Sequence, residues 1–167
     1  MSRGFVKEDD QEEIPMVPQR AYLPDGVTNF VTPSGMKQLL DEKQMLIEER
    51  NNVNNANENE KRLAINFINS KLQLLNNRIN EAKVVNPAEQ PESEIRFGAM
   101  IILQAEISNA TQTIQIVGVD EADIAKGKIS FLSPVSRMLI NKKVGDKVTL
   151  KQAGKDIVYE ISRISYI

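Results

Sequence analysis

The feature that most constrains the fold of this 167-residue chain is an apolar series at Ile65, Ile68, Leu72, Leu75, Ile79 and Ala82. Its steps of 3, 4, 3, 4 and 3 keep one seam on one face of a coiled-coil helix. Upstream, Met36, Leu39, Leu46 and Val53 fall at heptad-compatible positions, with Lys43 and Arg50 in the remaining seam slots. Those two must snorkel their charges outward. The two patterns predict an antiparallel helical hairpin over residues 32–85. Val53 then meets Ile65, Leu46 meets Leu72, Leu39 meets Ile79 and Met36 meets Ala82, with the fold point at Asn59. Thr32-Pro33 supplies the start, a hydroxyl to cap exposed N–H groups followed by a residue whose φ is already helical.

Six of the nine residues from Asn51 to Asn59 are Asn. Their amides compete for backbone hydrogen bonds and suit turns and caps. The second helix is expected to begin at residues 57–60, with Glu58 and Glu60 in its first turn. Carboxylates there are favoured by the helix dipole, which accounts for both acids without any further role. Carried on the end of a projecting hairpin, they can also be delivered to a hard cation, because Mg²⁺ is commonly held by one or two carboxylates plus waters and phosphates. Lys61, Arg62, Lys71 and Arg78 along this helix read as a solvated face or as a guide for nucleic acid or an acidic partner surface.

The chain contains no Cys and no His. Disulfides, thiolate metal sites, thiol nucleophiles and Ser-His triads are thereby removed, so a self-contained hydrolase or transferase is disfavoured. A net charge of −2 argues against an undifferentiated nucleic-acid binder. With neither a long apolar run nor a basic-then-apolar leader, the expectation is a cytoplasmic protein away from membranes.

Residues 1–31 combine an acidic run with Pro15, Pro18 and Pro24, which erase any regular period and predict either a flexible extension or a partner-binding or self-covering arm anchored by Ile14, Val17, Tyr22 and Leu23. Residues 86–93, NPAEQPES, read as a linker. Beyond it the period changes to that of strands, predicted at 96–107, 111–119, 128–132, 147–152 and 157–167. Ser133-Pro134 is expected to cap a short helix through Ile140. The resulting fold class is α+β, a coiled-coil hairpin followed by a small antiparallel β domain over 94–167 with one short helix.

VVNPAEQPESEIRFGAMIIL, ISFLSPVSRMLINKKVGDKVTL and the terminal YEISRISYI closely resemble the bacterial Gre transcript-cleavage factors. VTPSGMKQLLDE also resembles the family's helix start. The resemblance covers about residues 31–167, strongly in the C-terminal part and more weakly within the hairpin. It implies an FK506-binding-protein-like (FKBP-like) C-terminal domain that docks on the rim of the secondary channel of RNA polymerase. It implies that the hairpin reaches down that channel, near the nascent RNA. There, two tip acids help hold a Mg²⁺ of the polymerase, whose own active site hydrolyses backtracked RNA. Ser133, Pro134 and Arg137 match the docking loop, and Glu58 and Glu60 are the acids available at the tip. No cofactor would be bound by the chain alone, which would act as a monomer and not as an enzyme.

Three departures bear on that picture. Counted back from VVN, the family's two tip acids fall on Asn51 and Asn54. The hairpin is also shorter by roughly one heptad per arm, about 10 Å of reach. Leu132 stands before Ser133, where cleavage-competent relatives tend to carry an acid. Two other readings therefore stand beside the first, a polymerase-binding regulator without cleavage activity and an FKBP-type prolyl isomerase. The isomerase would need an aromatic-lined pocket built from Phe97, Phe131, Tyr159 and Tyr166.

Overall fold

The computed structural model describes residues 16–54 and 57–167, and residues 1–15 of the expected N-terminal extension lie outside that range. Strand β1 (Asn29–Val31) leads into helix α1 (Pro33–Asn51), and α2 (Glu58–Glu81) runs directly into β2 (Ala82–Val84). The predicted start holds in detail. Thr32 is the N-cap of α1, its hydroxyl accepting the Gly35 N–H at 2.9 Å, and Pro33 occupies the first helical position.

The seam packs as its period requires. Leu39, Leu46, Ile68, Leu72 and Leu75 form one buried core with Val31, and Met36, Val53, Ile79 and Ala82 close its margins. Ile65 is only half-buried and lies outside that core. Arg50 on the seam turns its guanidinium outward and donates to Asn69 Oδ1 at 2.9 Å.

The turn of the hairpin differs from expectation. Asn59 is not the fold point; α1 ends at Asn51 and α2 begins at Glu58, so Asn59 already belongs to α2. Asn57 caps that helix by accepting the Asn59 N–H at 2.8 Å. The Arg50–Asn69 contact places the end of α1 well inside α2. The first turns of α2 therefore project beyond α1 by roughly 15 Å, with no helix among the described residues opposite them.

Two boundaries at the root also move. The second helix stops at Glu81, because Ala82–Val84 pairs in parallel with β1, from Asn29↔Ala82 to Val31↔Val84. A parallel pairing between segments that flank antiparallel helices requires the chain to double back at a strand–helix junction. Residues 16–31 are correspondingly not a loose extension. Asn29 is buried and donates its amide to the Arg78 carbonyl at 3.1 Å, near the end of α2.

Residues 86–93 begin with a 3-10 turn at Pro87–Glu89, capped by Asn86. The C-terminal sheet comprises β3 (Met100–Ala105), β4 (Thr111–Val117), β5 (Lys128–Ser130), β6 (Lys147–Gln152) and β7 (Lys155–Ser165), in the order β5-β4-β3-β7-β6. Strand β3 begins at Met100 and not at Arg96, because Gly98 at φ +88° and the Ala99 N–H to Arg96 carbonyl bond turn the chain first. Alternation holds once it starts, with Ile101, Leu103 and Ala105 buried.

The sheet is not wholly antiparallel, since β5 runs parallel to β4. Parallel neighbours need a crossover, and residues 118–127 supply one. Helix α3 (Pro134–Leu139), capped by Ser133 as expected, adds Leu139 to a core with Ile95, Ile116 and Ile161.

The crossover after β4 also joins the two parts of the molecule. Gly118 passes so close to the hairpin root that a Cβ would lie 2.5 Å from the Phe30 carbonyl oxygen. Phe30 of β1 stacks with Phe97 and Phe131, with all three ring centroids 5.6–5.8 Å apart. Glu121 is buried and accepts the Thr32 hydroxyl at 2.7 Å. Beside it Asp120 faces two cations, Arg20 Nε at 3.1 Å and Arg78 Nε at 3.3 Å. Nothing in the periodicity marked these crossover residues, whose partners lie far away in sequence.

Candidate functional site

Two regions carry the residues singled out from sequence, the projecting end of α2 and the loop that opens α3. At the first, Glu58 and Glu60 are exposed in the first turn of α2, next to Asn57 and Asn59. Arg62 donates to the Asn59 side chain at 3.1 Å. Glu58, Asn59, Lys61, Arg62, Ile65 and Asn66 line one open groove. The two acids are two positions apart, so they leave the helix about 200° from each other and do not converge. Of the positions matched to the family's tip acids by counting, Asn51 is the last residue of α1 and Asn54 lies in the connection.

This geometry tests the fit of a shared Mg²⁺. Among the described residues, no three Asp or Glu side chains gather into a cation site. One carboxylate presented by a helix end suits a Mg²⁺ that already has phosphate and water ligands, whereas two from this turn on the same face do not. Glu58 and Glu60 are each exposed and placed to offer one carboxylate. The expectation of a joint pair does not fit.

At the second region Ser133, Ser136 and Ser130 form a relay. The Ser133 hydroxyl donates to Ser136 Oγ at 3.0 Å and accepts the Ser136 N–H at 3.2 Å. Ser136 is buried and donates to the Ser130 carbonyl at 2.6 Å. The Ser133 hydroxyl is thus occupied internally, and its role is to hold the loop. Pro134 and Arg137 are exposed on the same turn, and Leu132 is half-buried. Sequence reasoning passed over Met138, which is 43% exposed beside Arg137, because an apolar residue in a short amphipathic helix reads as core.

The aromatic side chains that an isomerase pocket would require are engaged elsewhere. Phe97 and Phe131 stack on Phe30. The Tyr159 hydroxyl donates to Gln152 at 2.9 Å, and the Tyr166 hydroxyl donates to the Glu94 carbonyl at 2.6 Å while accepting the Arg96 N–H at 2.8 Å.

A helical hairpin rooted in a two-stranded tie and joined to a five-stranded domain defines a two-part α+β protein. The family described as "Transcription elongation factor, GreA/GreB, C-term" matches residues 90–166. A transcription elongation factor GreA of Thermodesulfovibrio yellowstonii is 32% identical over 151 residues, spanning 81% of this chain and 96% of the relative. The chain belongs to the GreA/GreB family.

The GreA of Alkalilimnicola ehrlichii is 39% identical over 101 residues, but that match spans only 64% of the relative's length and 60% of this chain. Among solved structures, a GreA/GreB factor of Nitrosomonas europaea is similar at a TM-score of 0.44 with 19% identity, covering 82% of this chain and 98% of the other. The GreA factor homolog 1 of Thermus thermophilus is similar at 0.40 with 18% identity, covering 83% and 99%.

Proposed function

We propose that this chain is a transcription elongation factor that binds RNA polymerase through its C-terminal domain and directs the hairpin into the secondary channel. It acts in the cytoplasm as a monomer and catalyses nothing alone. At the channel's inner end Glu58 or Glu60 lends one carboxylate to a Mg²⁺ of the polymerase, whose own site then hydrolyses backtracked RNA. The carrying observation is the projecting end of α2, which presents both acids free of any opposing helix. Arg137 and Pro134, exposed on a loop pinned by the serine relay, are the expected rim contacts.

A second reading is favoured by the divergence of the two acids and by the Asn-rich connection. In it the hairpin occupies the channel and obstructs it without promoting cleavage. A transcript-cleavage assay on backtracked complexes separates the two. Release of 3′ RNA fragments that falls at least tenfold with Glu58→Gln or Glu60→Gln supports the first. Absence of fragments together with competition against a known cleavage factor supports the second. Loss of polymerase binding altogether would overturn both.

A further inference from the structure

Residues 18–23 lie in the angle between the hairpin and the C-terminal domain. They border α1 at Glu42, α2 at Leu74 and Arg78, and the crossover at Asp120. Arg20 is central to this placement. Its Nη1 and Nη2 donate to the two Glu42 oxygens at 2.8 and 3.0 Å, a bidentate pair, while its Nε donates to Asp120 Oδ1 at 3.1 Å. One guanidinium therefore bridges a hairpin helix and the C-terminal domain. The hydrogen bond to Glu42 raises its pKa above the usual arginine value, against the opposing effect of burial.

We propose that this segment is a strap that sets the angle between the hairpin and the C-terminal domain, with Arg20 as its clasp. Two adjacent residues act together. While Arg20 supplies Asp120, the next carbonyl, that of Ala21, accepts a hydrogen bond from Arg78 Nη2. Arg78 and Asp120 are otherwise poorly provided for. Arg78 Nη1 and Asp120 Oδ2 are buried without a hydrogen-bond partner, and both side chains are about nine-tenths covered.

With the strap seated, Arg20, Arg78, Glu42 and Asp120 balance as two cations and two anions. Withdrawal of Arg20 removes Asp120's hydrogen-bond donor and leaves one guanidinium, that of Arg78 at 3.3 Å from Asp120, against the two carboxylates of Asp120 and Glu42, a state relieved when water enters. The junction then opens about its remaining ties, Thr32–Glu121 and the Phe30 stack. The strap is thus a two-position device, and capture or cleavage of the segment frees the hairpin to swing. This inference is independent of whether the tip supports cleavage.

The chain has no Cys, so a labelled pair can be placed cleanly. Glu49→Cys on α1 and Asp156→Cys in the β6–β7 hairpin, both exposed, carry spin labels for pulsed electron-electron distance measurement. The unaltered chain should give one narrow distance distribution. Arg20→Ala, and separately a chain beginning at Asp25, should at least double its width or add a second population, and Arg20→Lys should fall between. An unchanged narrow distribution in Arg20→Ala, with helical circular dichroism intact, overturns the proposal. A distribution already broad in the unaltered chain overturns it as well. If the shortened chain fails to fold, the point variant decides.

Discussion

Thr32 Oγ1 lies 2.7 and 2.8 Å from the two carboxylate oxygens of Glu121, 89 positions away in sequence, while it accepts the Gly35 N–H. One hydroxyl thus caps the first hairpin helix and satisfies a buried carboxylate of the other domain. Thr32→Val should lose about 1 kcal/mol of capping. It should lose roughly 1–3 kcal/mol more because Glu121 is left buried without that donor. Urea unfolding of Thr32→Val, Glu121→Gln and the double variant measures both. A strongly non-additive cycle is expected. Additive costs would mean that the two residues do not act on each other.

Gly118 should be irreplaceable for a reason unrelated to backbone freedom. Its added Cβ would meet the Phe30 carbonyl oxygen at 2.5 Å, and neither backbone can yield without moving the hairpin root. Gly118→Ala is expected to destabilise by about 1–3 kcal/mol, the range for overpacking. Thermal unfolding would show this as a clear drop in Tm. An unchanged Tm would mean that the root is softer than its packing implies.

Tyr166 supplies a pH dependence. Burial raises the pKa of its phenol, partly offset by the Arg96 N–H that it accepts. A group raised in the folded state contributes stability that is complete below its unfolded value of about 10 and is lost as pH rises through the folded value. Stability should therefore fall above about pH 10 more steeply than in Tyr166→Phe, which is weaker at neutral pH because it loses the bond to the Glu94 carbonyl. Parallel Tm profiles from pH 8 to pH 11 would refute this assignment.

Ser133 and Arg137 should separate holding the loop from touching a partner. Ser133→Ala removes the cap of α3 and should cost about 1 kcal/mol. Arg137→Ala, exposed and without a partner among the described residues, should leave stability within about 0.5 kcal/mol. Yet it should weaken polymerase binding severalfold in a titration. Equal binding by both variants and the unaltered chain would remove this loop from the interface.

Much of the molecule was legible because local rules and tertiary packing agree there. The seam from Ile68 to Leu75, the Thr32-Pro33 and Ser133-Pro134 starts and the alternation in β3 each follow from a period or a cap. What escaped was non-local. Three residues of β1 carry no strand period of their own and exist as a strand only because Ala82–Val84 returns beside them. The parallel return of β5 depends on the crossover, not on its own residues. Arg20 stands among prolines with no period to place it, and only the distant Glu42 and Asp120 fix its position. At the tip, the acids were legible as first-turn residues, but their divergence required knowing that the helix had already begun at Glu58.

The tie between β1 and β2 has a consequence for how such a protein can change. It fastens the two feet of the hairpin side by side, from Asn29↔Ala82 to Val31↔Val84, in a register that does not depend on what lies between them. Seven residues removed from or added to each helix keep the seam in phase and move the far end by about 10 Å. The feet and the C-terminal domain stay where they were. Reach is therefore a separately adjustable quantity, like the extension of a telescoping rod whose mounting never moves.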